Sequence, residues 1–303
     1  MLRKRRAAKR RALARARGRL SSPQPEEHTM KIYISADIEG VGGVARHEHS
    51  RVDGREYPLA RRLMTNEVNA AIRGVFEAGA LGVTVSDSHN VGLNLLPEEL
   101  DERARLVMGS PRPLSMMHGI DESFAAAMFV GYHAMGGTMN ASIVHTFTGR
   151  LQEVRLNGIK VGEIGLNAAL AGHFGVPVTF VAGDLAACRE AEALLPGVRT
   201  LAVKEAVGAY AAICEHPART CRAIEAAAKE ALQNPPKVKP FVFDGDVELT
   251  VRCTTASGAD RAGMIPRTKR LDDLTVSYTG SDVVEAFQAF NTMSCLVELV
   301  PFI

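Results

Sequence analysis

The sequence predicts an α/β protein with a mostly parallel sheet flanked by helices and a smaller C-terminal α/β lobe. Apolar runs of strand length alternate along the chain with segments of helical periodicity, which is the arrangement typical of α/β folds. Several of these apolar runs are followed directly by acids or histidines. Because ligands bind outside the carboxyl ends of the strands in an open parallel sheet, these polar residues are candidates for a functional site.

The first strand is predicted within residues 31–43. The run Ile-Tyr-Ile at 32–34 has the β-branched and aromatic character of a buried strand, and a glycine-rich turn follows it. Asp37 and Glu39 therefore come at the carboxyl tip of this strand. Residues two apart in an extended chain point to the same side, so both carboxylates can face one metal site. The alternative that these residues alone leave open is a solvated acidic turn.

The remaining elements follow from periodicity and turn signals. Pro58 suits the first turn of a helix and Gly79 suits the position after its end. The pair Asn157-Gly158 between two extended runs predicts a two-residue hairpin turn, and residues 281–285 have the character of a capping box before the last helix. Earlier helices are predicted at 58–78, 163–172, 184–195 and 217–232, and further strands at 81–86, 106–108, 125–130, 151–156, 177–182, 200–203, 246–253 and 274–278.

Composition restricts the class of protein. The chain has 303 residues, of which 46% are hydrophobic and 23% charged, enough for one large or two modest domains. It contains no apolar run of the roughly 18 residues that a transmembrane helix needs. The five cysteines are scattered, with no Cys-x-x-Cys pair, which predicts reduced thiols in a cytoplasmic protein and argues against a disulfide framework.

Charge separates the N-terminus from the rest of the chain. Residues 1–20 hold ten Lys or Arg and no acid, so residues 1–29 are predicted to be a basic, disordered arm. The rest is divided into a metal-binding α/β domain at 30–195 and a C-terminal α/β lobe at 196–303. Contact of the arm with nucleic acid is one hypothesis, and an appendage irrelevant to the main activity is the alternative that its composition favours.

Polar residues recur at the ends of predicted elements. His89 follows the second strand, His133 follows the apolar run at 125–130, and Glu163 lies in the first turn of a helix. A single histidine in such a place is more often a hydrogen-bonded structural residue than a ligand. Together with Asp37 and Glu39, however, these residues form a set of two imidazoles and three carboxylates, which suits one or two zinc ions.

Two neighbouring motifs are interpreted differently. The segment His47-Glu48-His49 is predicted to be a solvated loop, because arginines surround it. Asp87 and Ser88 are expected either to orient His89 or to cap the loop that carries it.

The spaced motifs together resemble a family, the zinc D-aminopeptidases of bacterial dipeptide-transport operons. The matching segments lie at 31–40, 87–89, 131–134, 161–168 and 178–184, in the family's order. The resemblance implies two Zn²⁺ ions per subunit, with Asp37 bridging both. It further implies that Glu39 and His89 complete one site, and that His133 and Glu163 complete the other. It also identifies His145 as the match of the family's catalytic histidine.

The same resemblance implies the substrates and the assembly. Short peptides with an N-terminal D-amino acid of the D-Ala type are the expected substrates, and a homo-oligomer, a hollow decamer in the family, is the expected assembly. A dinuclear metal phosphoesterase or small amidohydrolase is the alternative enzyme class, because the same ligands suit phosphate esters. No membrane partner is expected, and nucleic acid is expected only through the basic arm.

Overall fold

The computed structural model describes residues 30–299, and the predicted arm at 1–29 lies outside these described residues. In this part of the chain, no helix is both long and apolar enough to cross a membrane. The strands are β1 Lys31–Ala36, β2 Gly82–Asp87, β3 Ala104–Val107, β4 Phe124–Tyr132, β5 Leu151–Leu156, β6 Ile159–Lys160, β7 Val178–Asp184, β8 Arg199–Gly208, β9 Ala211–Cys214, β10 Val247–Cys253, β11 Lys269–Arg270 and β12 Thr275–Gly280. The helices are α1 His47–Ser50, α2 Tyr57–Glu77, α3 Glu163–His173, α4 Leu185–Leu194, α5 Pro217–Gln233, α6 Ala256–Ala262 and α7 Val283–Glu298, with a 3₁₀ turn at Ser115–Met117.

The main sheet has seven strands in the order β3-β2-β1-β4-β7-β8-β9. All neighbours are parallel except the edge pair β8 and β9. A second sheet, in the order β11-β12-β10-β5-β6, is antiparallel. The predicted α/β class with a mostly parallel sheet is therefore confirmed.

Both faces of the main sheet are covered, and side chains that alternate along each strand are buried in two different cores. On one face, Ile32 and Ile34 of β1 join a core with helices α2 and α5. On the other face, Tyr33 joins a core that includes helix α3, the second sheet and helix α7. Neighbouring residues of one strand thus face different cores, as the period of two requires.

Local sequence signals determine several element boundaries. Helix α2 has Pro58 in its first turn, and Gly79 follows its end with a positive φ of 96°. The Asn157-Gly158 turn joins β5 to β6 with positive φ at both residues. At the start of α7, the Asp282 side chain accepts the N–H of Glu285. These predictions are confirmed, whereas the short elements α1, α6, β9 and β11 were not predicted.

The chain passes between the two sheets more than once. Strands β5 and β6 precede residue 195 but belong to the second sheet, and β8 and β9 follow it but extend the main sheet. The division into domains at 195 stays a prediction.

Candidate metal centre

All six predicted site residues lie together at the carboxyl edge of the main sheet. Strands β2, β1 and β4 are parallel neighbours, so the residues that follow them meet at one place. Asp37 and Glu39 follow β1, His89 follows β2 and His133 follows β4. Glu163, the first residue of α3, and His145, from the loop between β4 and β5, complete the cluster.

Asp37 lies between two imidazoles. Its Oδ1 is 3.4 Å from Nδ1 of His89, and its Oδ2 is 3.5 Å from Nε2 of His133. Glu39 Oε2 is 2.9 Å from the same His89 nitrogen, and Glu163 Oε1 is 3.4 Å from the same His133 nitrogen. The cluster therefore has two halves that share the carboxylate of Asp37.

Close backbone packing holds the turn that carries Asp37 and Glu39. The N–H of Asp37 donates to the carbonyl of Val130, and the N–H of Gly40 donates to the carbonyl of Gly131. A Cβ on Gly40 would lie 1.9 Å from the carbonyl oxygen of Tyr132, and one on Gly131 would lie 2.1 Å from that of Asp37. Only glycine permits this approach, because any side chain would overlap backbone atoms.

His89 is oriented by helix α1. Its Nε2–H donates to the carbonyl of Ser50 at 2.8 Å, which leaves Nδ1 facing Asp37 and Glu39. The loop after His89 is held by Asn94, whose Nδ2 donates to both the Asp87 carboxylate and the His89 carbonyl.

No hydrogen bond of the described residues joins the side chain of Asp87 or Ser88 to the ring of His89. Asp87 accepts the backbone N–H groups of Asn94 and Leu95. The Ser88 hydroxyl lies 2.6 Å from that of Ser35. Of the two expectations for this pair, the structure favours capping of the loop.

The rings of His133 and His145 stack on one another, and each is also hydrogen-bonded to a backbone carbonyl. The rings of His133 and His145 are 4.2 Å apart and inclined by 16°. Nδ1–H of His133 donates to the Ala134 carbonyl, and Nδ1–H of His145 donates to the Ile143 carbonyl, both at 2.9 Å. These bonds assign the proton to Nδ1, so each Nε2 presents its lone pair to the carboxylates when the ring is neutral.

Glu163 links α3 to the loop that carries His145. Its Oε1 accepts the N–H of Phe147 at 2.7 Å and lies 3.8 Å from Nε2 of His145. Phe147 has a φ of 61°, and Ile143, on the other side of His145, has a φ of 54°. Left-handed backbone is uncommon for such residues and costs energy, so surrounding contacts must hold this loop in place.

Burial and mutual repulsion perturb the carboxyl groups. Asp37, Glu39 and Glu163 are each at most 5% exposed. Burial, and then the negative charge of Glu39, raises the pKa of Asp37 to about 7. Burial also acts to raise the pKa of Glu39 and Glu163, but attraction to His89 and His133 respectively outweighs it, so both pKa values are lowered.

The imidazoles respond to the same charges. Burial would lower the pKa of His89 and His133, yet the neighbouring carboxylates raise the pKa of both well above the usual value. Burial and the charge of His133 lower the pKa of His145. His145 is therefore the imidazole most readily neutral in this cluster.

The donor set fits zinc. Glu39 Oε2 and His133 Nε2 are buried and make no hydrogen bond to the described residues, although Glu39 Oε2 lies 2.9 Å from Nδ1 of His89. These buried acids are balanced either by protonation of the imidazoles or by a cation bound between the acids and the lone pairs of neutral rings. Asp37, Glu39 and His133 each offer an atom within 4.8 Å of the others, as do His133, His145 and Glu163. Carboxylate oxygen and imidazole nitrogen are ligands that zinc accepts.

The cluster opens into a cavity of about 710 Å³. Its walls include His145, Glu163, Tyr210 and Glu298, together with Arg51 after helix α1. This volume is within the range of about 300–1,000 Å³ typical of small-molecule sites. A separate cleft of about 470 Å³ lies near the amino ends of β1 and β2 and is lined by neither histidine nor glutamate.

Sequence reasoning missed several contributors. His47 and His49 were expected in a loop but lie in helix α1, where His47 lines the cavity and His49 accepts the N–H of Ala45. The carbonyls of Ser50 and Ile143 orient rings, and backbone atoms of this kind have no sequence signal.

Comparison with known proteins places these features in context. The model of the Peptidase_M55 family, described as D-aminopeptidase, matches residues 30–292. A D-aminopeptidase of Bacillus subtilis (strain 168) is 36% identical over 274 residues, covering 90% of this chain and 100% of that protein. The solved structure of Zn-dependent D-aminopeptidase DppA from Bacillus subtilis, described as a self-compartmentalizing protease, superposes with a TM-score of 0.89. That match has 36% identity and covers 90% of this chain and all of the other.

Proposed function

Because this chain belongs to the Peptidase_M55 D-aminopeptidase family, as its motifs predicted, we propose that it is a dinuclear zinc aminopeptidase. Its substrates are short peptides with an N-terminal D-amino acid of the D-Ala type. The reaction is hydrolysis of the first peptide bond.

One observation carries this proposal more than any other. Three buried carboxylates face three imidazoles, and each imidazole has its second ring nitrogen tied to a backbone carbonyl. Such ties are the usual way to fix the tautomer and direction of a metal-binding histidine. An ordinary buried ion-pair network has no need for that restraint on every ring.

The residues divide into two ligand sets around a shared carboxylate. Asp37 would hold both ions, because its two carboxylate oxygens face different histidines. Glu39 and His89 complete one set, and His133 and Glu163 complete the other. When bound, zinc lowers the pKa of its water toward about 7 and polarises a carbonyl.

His145 is the proposed catalytic residue. Its Nε2 borders the cavity beside Glu163, and its Nδ1–H is committed to Ile143. The free lone pair of Nε2 can accept a proton from the attacking water and return it to the leaving amine. The Ile143 carbonyl keeps the proton on Nδ1 and holds the ring in the required direction.

The cavity limits the size of the substrate. A volume of about 710 Å³ holds a short peptide and excludes a folded protein. The structural relative is a self-compartmentalizing protease, which supports assembly of this chain into a homo-oligomer, here proposed to be a decamer. Light scattering of the purified protein tests this assembly. The five cysteines are free, which fits the proposed cytoplasmic location.

The function is tested by metal analysis together with a substrate panel. The purified protein should contain two zinc ions per subunit and hydrolyse D-Ala-D-Ala, with little action on L-Ala-L-Ala or on p-nitrophenyl phosphate. Hydrolysis of the phosphate ester alone would favour the phosphoesterase alternative. Absence of zinc from active enzyme would contradict the proposed centre.

A further inference from the structure

Lys204 is a buried lysine that the proposed mechanism does not use. It lies on β8 and is 3% exposed. Lysine is almost never fully buried unless its ammonium group has partners. The contacts of this ammonium group therefore indicate its role.

Both described hydrogen bonds of the Lys204 side chain are made to one turn. Nζ donates to the carbonyl of Glu39 and to the carbonyl of Val44, more than 150 residues away in sequence. These two carbonyls bracket the glycine-rich turn that follows Glu39. The lysine thus joins the two ends of the segment that begins with a proposed zinc ligand.

A second buried group contacts the middle of the same turn. Glu67, on helix α2, is 3% exposed, and its Oε1 accepts the N–H of Gly42 at 2.9 Å. A Cβ on Gly42 would lie 3.1 Å from this oxygen. The middle of the turn is therefore held by α2 and its ends by β8.

We propose that Lys204 is a positioning residue for the zinc site formed by Glu39 and His89. It fixes the backbone of Glu39, and through that backbone the direction of the Glu39 carboxylate. This inference rests on the proposed dinuclear zinc centre and adds a residue outside the ligand set. Partners of this kind change metal affinity by about 10–100-fold when removed.

The alternative is that Lys204 only balances the charge of a buried acid. Asp184, which is fully buried, acts on the ammonium group more strongly than any other acid. Balancing would make the lysine dispensable once Asp184 is replaced by a neutral residue. A positioning role would still require the lysine, because without it the carbonyls of Glu39 and Val44 lack their hydrogen-bond donor.

The experiment compares Lys204→Met with the double variant Lys204→Met/Asp184→Asn. Methionine keeps most of the side-chain volume and removes the donor, and asparagine keeps a side-chain oxygen to accept the N–H of Ala187 while removing the acid. Zinc affinity is measured by chelator competition on the full-length protein, and the ligand field by the visible spectrum of the Co²⁺-substituted protein. Val251→Ala, a core change in the second sheet, is the control for general loss of stability.

The proposal predicts that one of the two zinc affinities falls about 10–100-fold in both Lys204 variants and that the Co²⁺ spectrum changes. The Val251→Ala protein should keep both affinities. Recovery of wild-type affinity in the double variant, or an equal loss in Val251→Ala, would overturn the positioning role. If Lys204→Met does not fold, the double variant alone decides the matter. Wild-type protein that binds no zinc would instead refute the proposed function.

Discussion

Substitution of Gly131 by alanine tests how tightly the backbone holds the candidate centre. Gly131 has a φ of 75°, and an added Cβ would lie 2.1 Å from the carbonyl oxygen of Asp37. The left-handed conformation costs a non-glycine residue about 1–2 kcal/mol. Relief of the overlap requires the two backbones to separate by about 1 Å, which adds about 1–3 kcal/mol, as overpacking does. The free energy of unfolding should therefore fall by about 2–5 kcal/mol in all.

Gly175→Ala is the matched control for this change. Gly175 has nearly the same φ, 73°, but nothing lies within 4 Å of its added Cβ. Its free energy of unfolding should fall by only about 1–2 kcal/mol, the cost of the backbone conformation. The difference between the two variants isolates the contact with Asp37.

Urea denaturation measures both free energies, and chelator competition measures zinc affinity. Displacement of Asp37 by about 1 Å should reduce peptidase turnover about 100-fold in Gly131→Ala, because reacting groups tolerate little misplacement. Gly175→Ala should keep wild-type affinity and turnover. Equal losses of stability in the two variants, with normal zinc binding in both, would refute the close packing of these segments.

Four further changes test other parts of the structure. Asp37→Ala should abolish zinc binding and activity with retained circular dichroism, whereas His145→Ala should keep two zinc ions and lose about 10²–10⁴-fold in turnover; normal turnover in His145→Ala would reject its role. Glu67→Gln should flatten the pH dependence of unfolding: burial raises the pKa of Glu67 from 4.5 to about 8, so its contribution to stability is complete below pH 4.5 and is lost as the pH rises through 8. The free energy of unfolding of the wild-type protein should fall relative to that of the variant by about 1.4 kcal/mol per pH unit in that window, and parallel curves would contradict this. Asp282→Ala should cost about 1 kcal/mol by removing the cap of α7, and an unchanged urea midpoint would exclude that cap.

The strand ends could be predicted because a few local rules determine them. Asp37, His89 and His133 each follow an apolar run, and parallel strands bring such residues to one edge. Strand order is not needed for that inference. The order itself depends on long-range packing, and periodicity does not specify it.

The loop that carries His145 could be assigned only through the family resemblance. It has no helical or strand period, and its shape depends on left-handed backbone at Ile143 and Phe147, residues that do not normally favour it. Some of the contacts that hold it, such as the N–H of Ile143 to the carbonyl of Ala209, join distant parts of the chain. Local propensity does not contain this information.

Lys204 is a case in which the residue type predicts the wrong environment. Its residue type predicts a solvated surface position, yet tertiary contacts bury it against the turn after Glu39. The antiparallel second sheet is similar, because β5 pairs with β10 across about a hundred residues. Only the folded chain specifies such partners.

Anomalous diffraction at the zinc absorption edge, from crystals of the protein grown with zinc, locates the metal ions relative to the six side chains. Two peaks per subunit are expected, with Asp37 contacting both, Glu39 and His89 on one, and His133 and Glu163 on the other. Zinc bound elsewhere, or these side chains in direct contact with no ion between them, would contradict it.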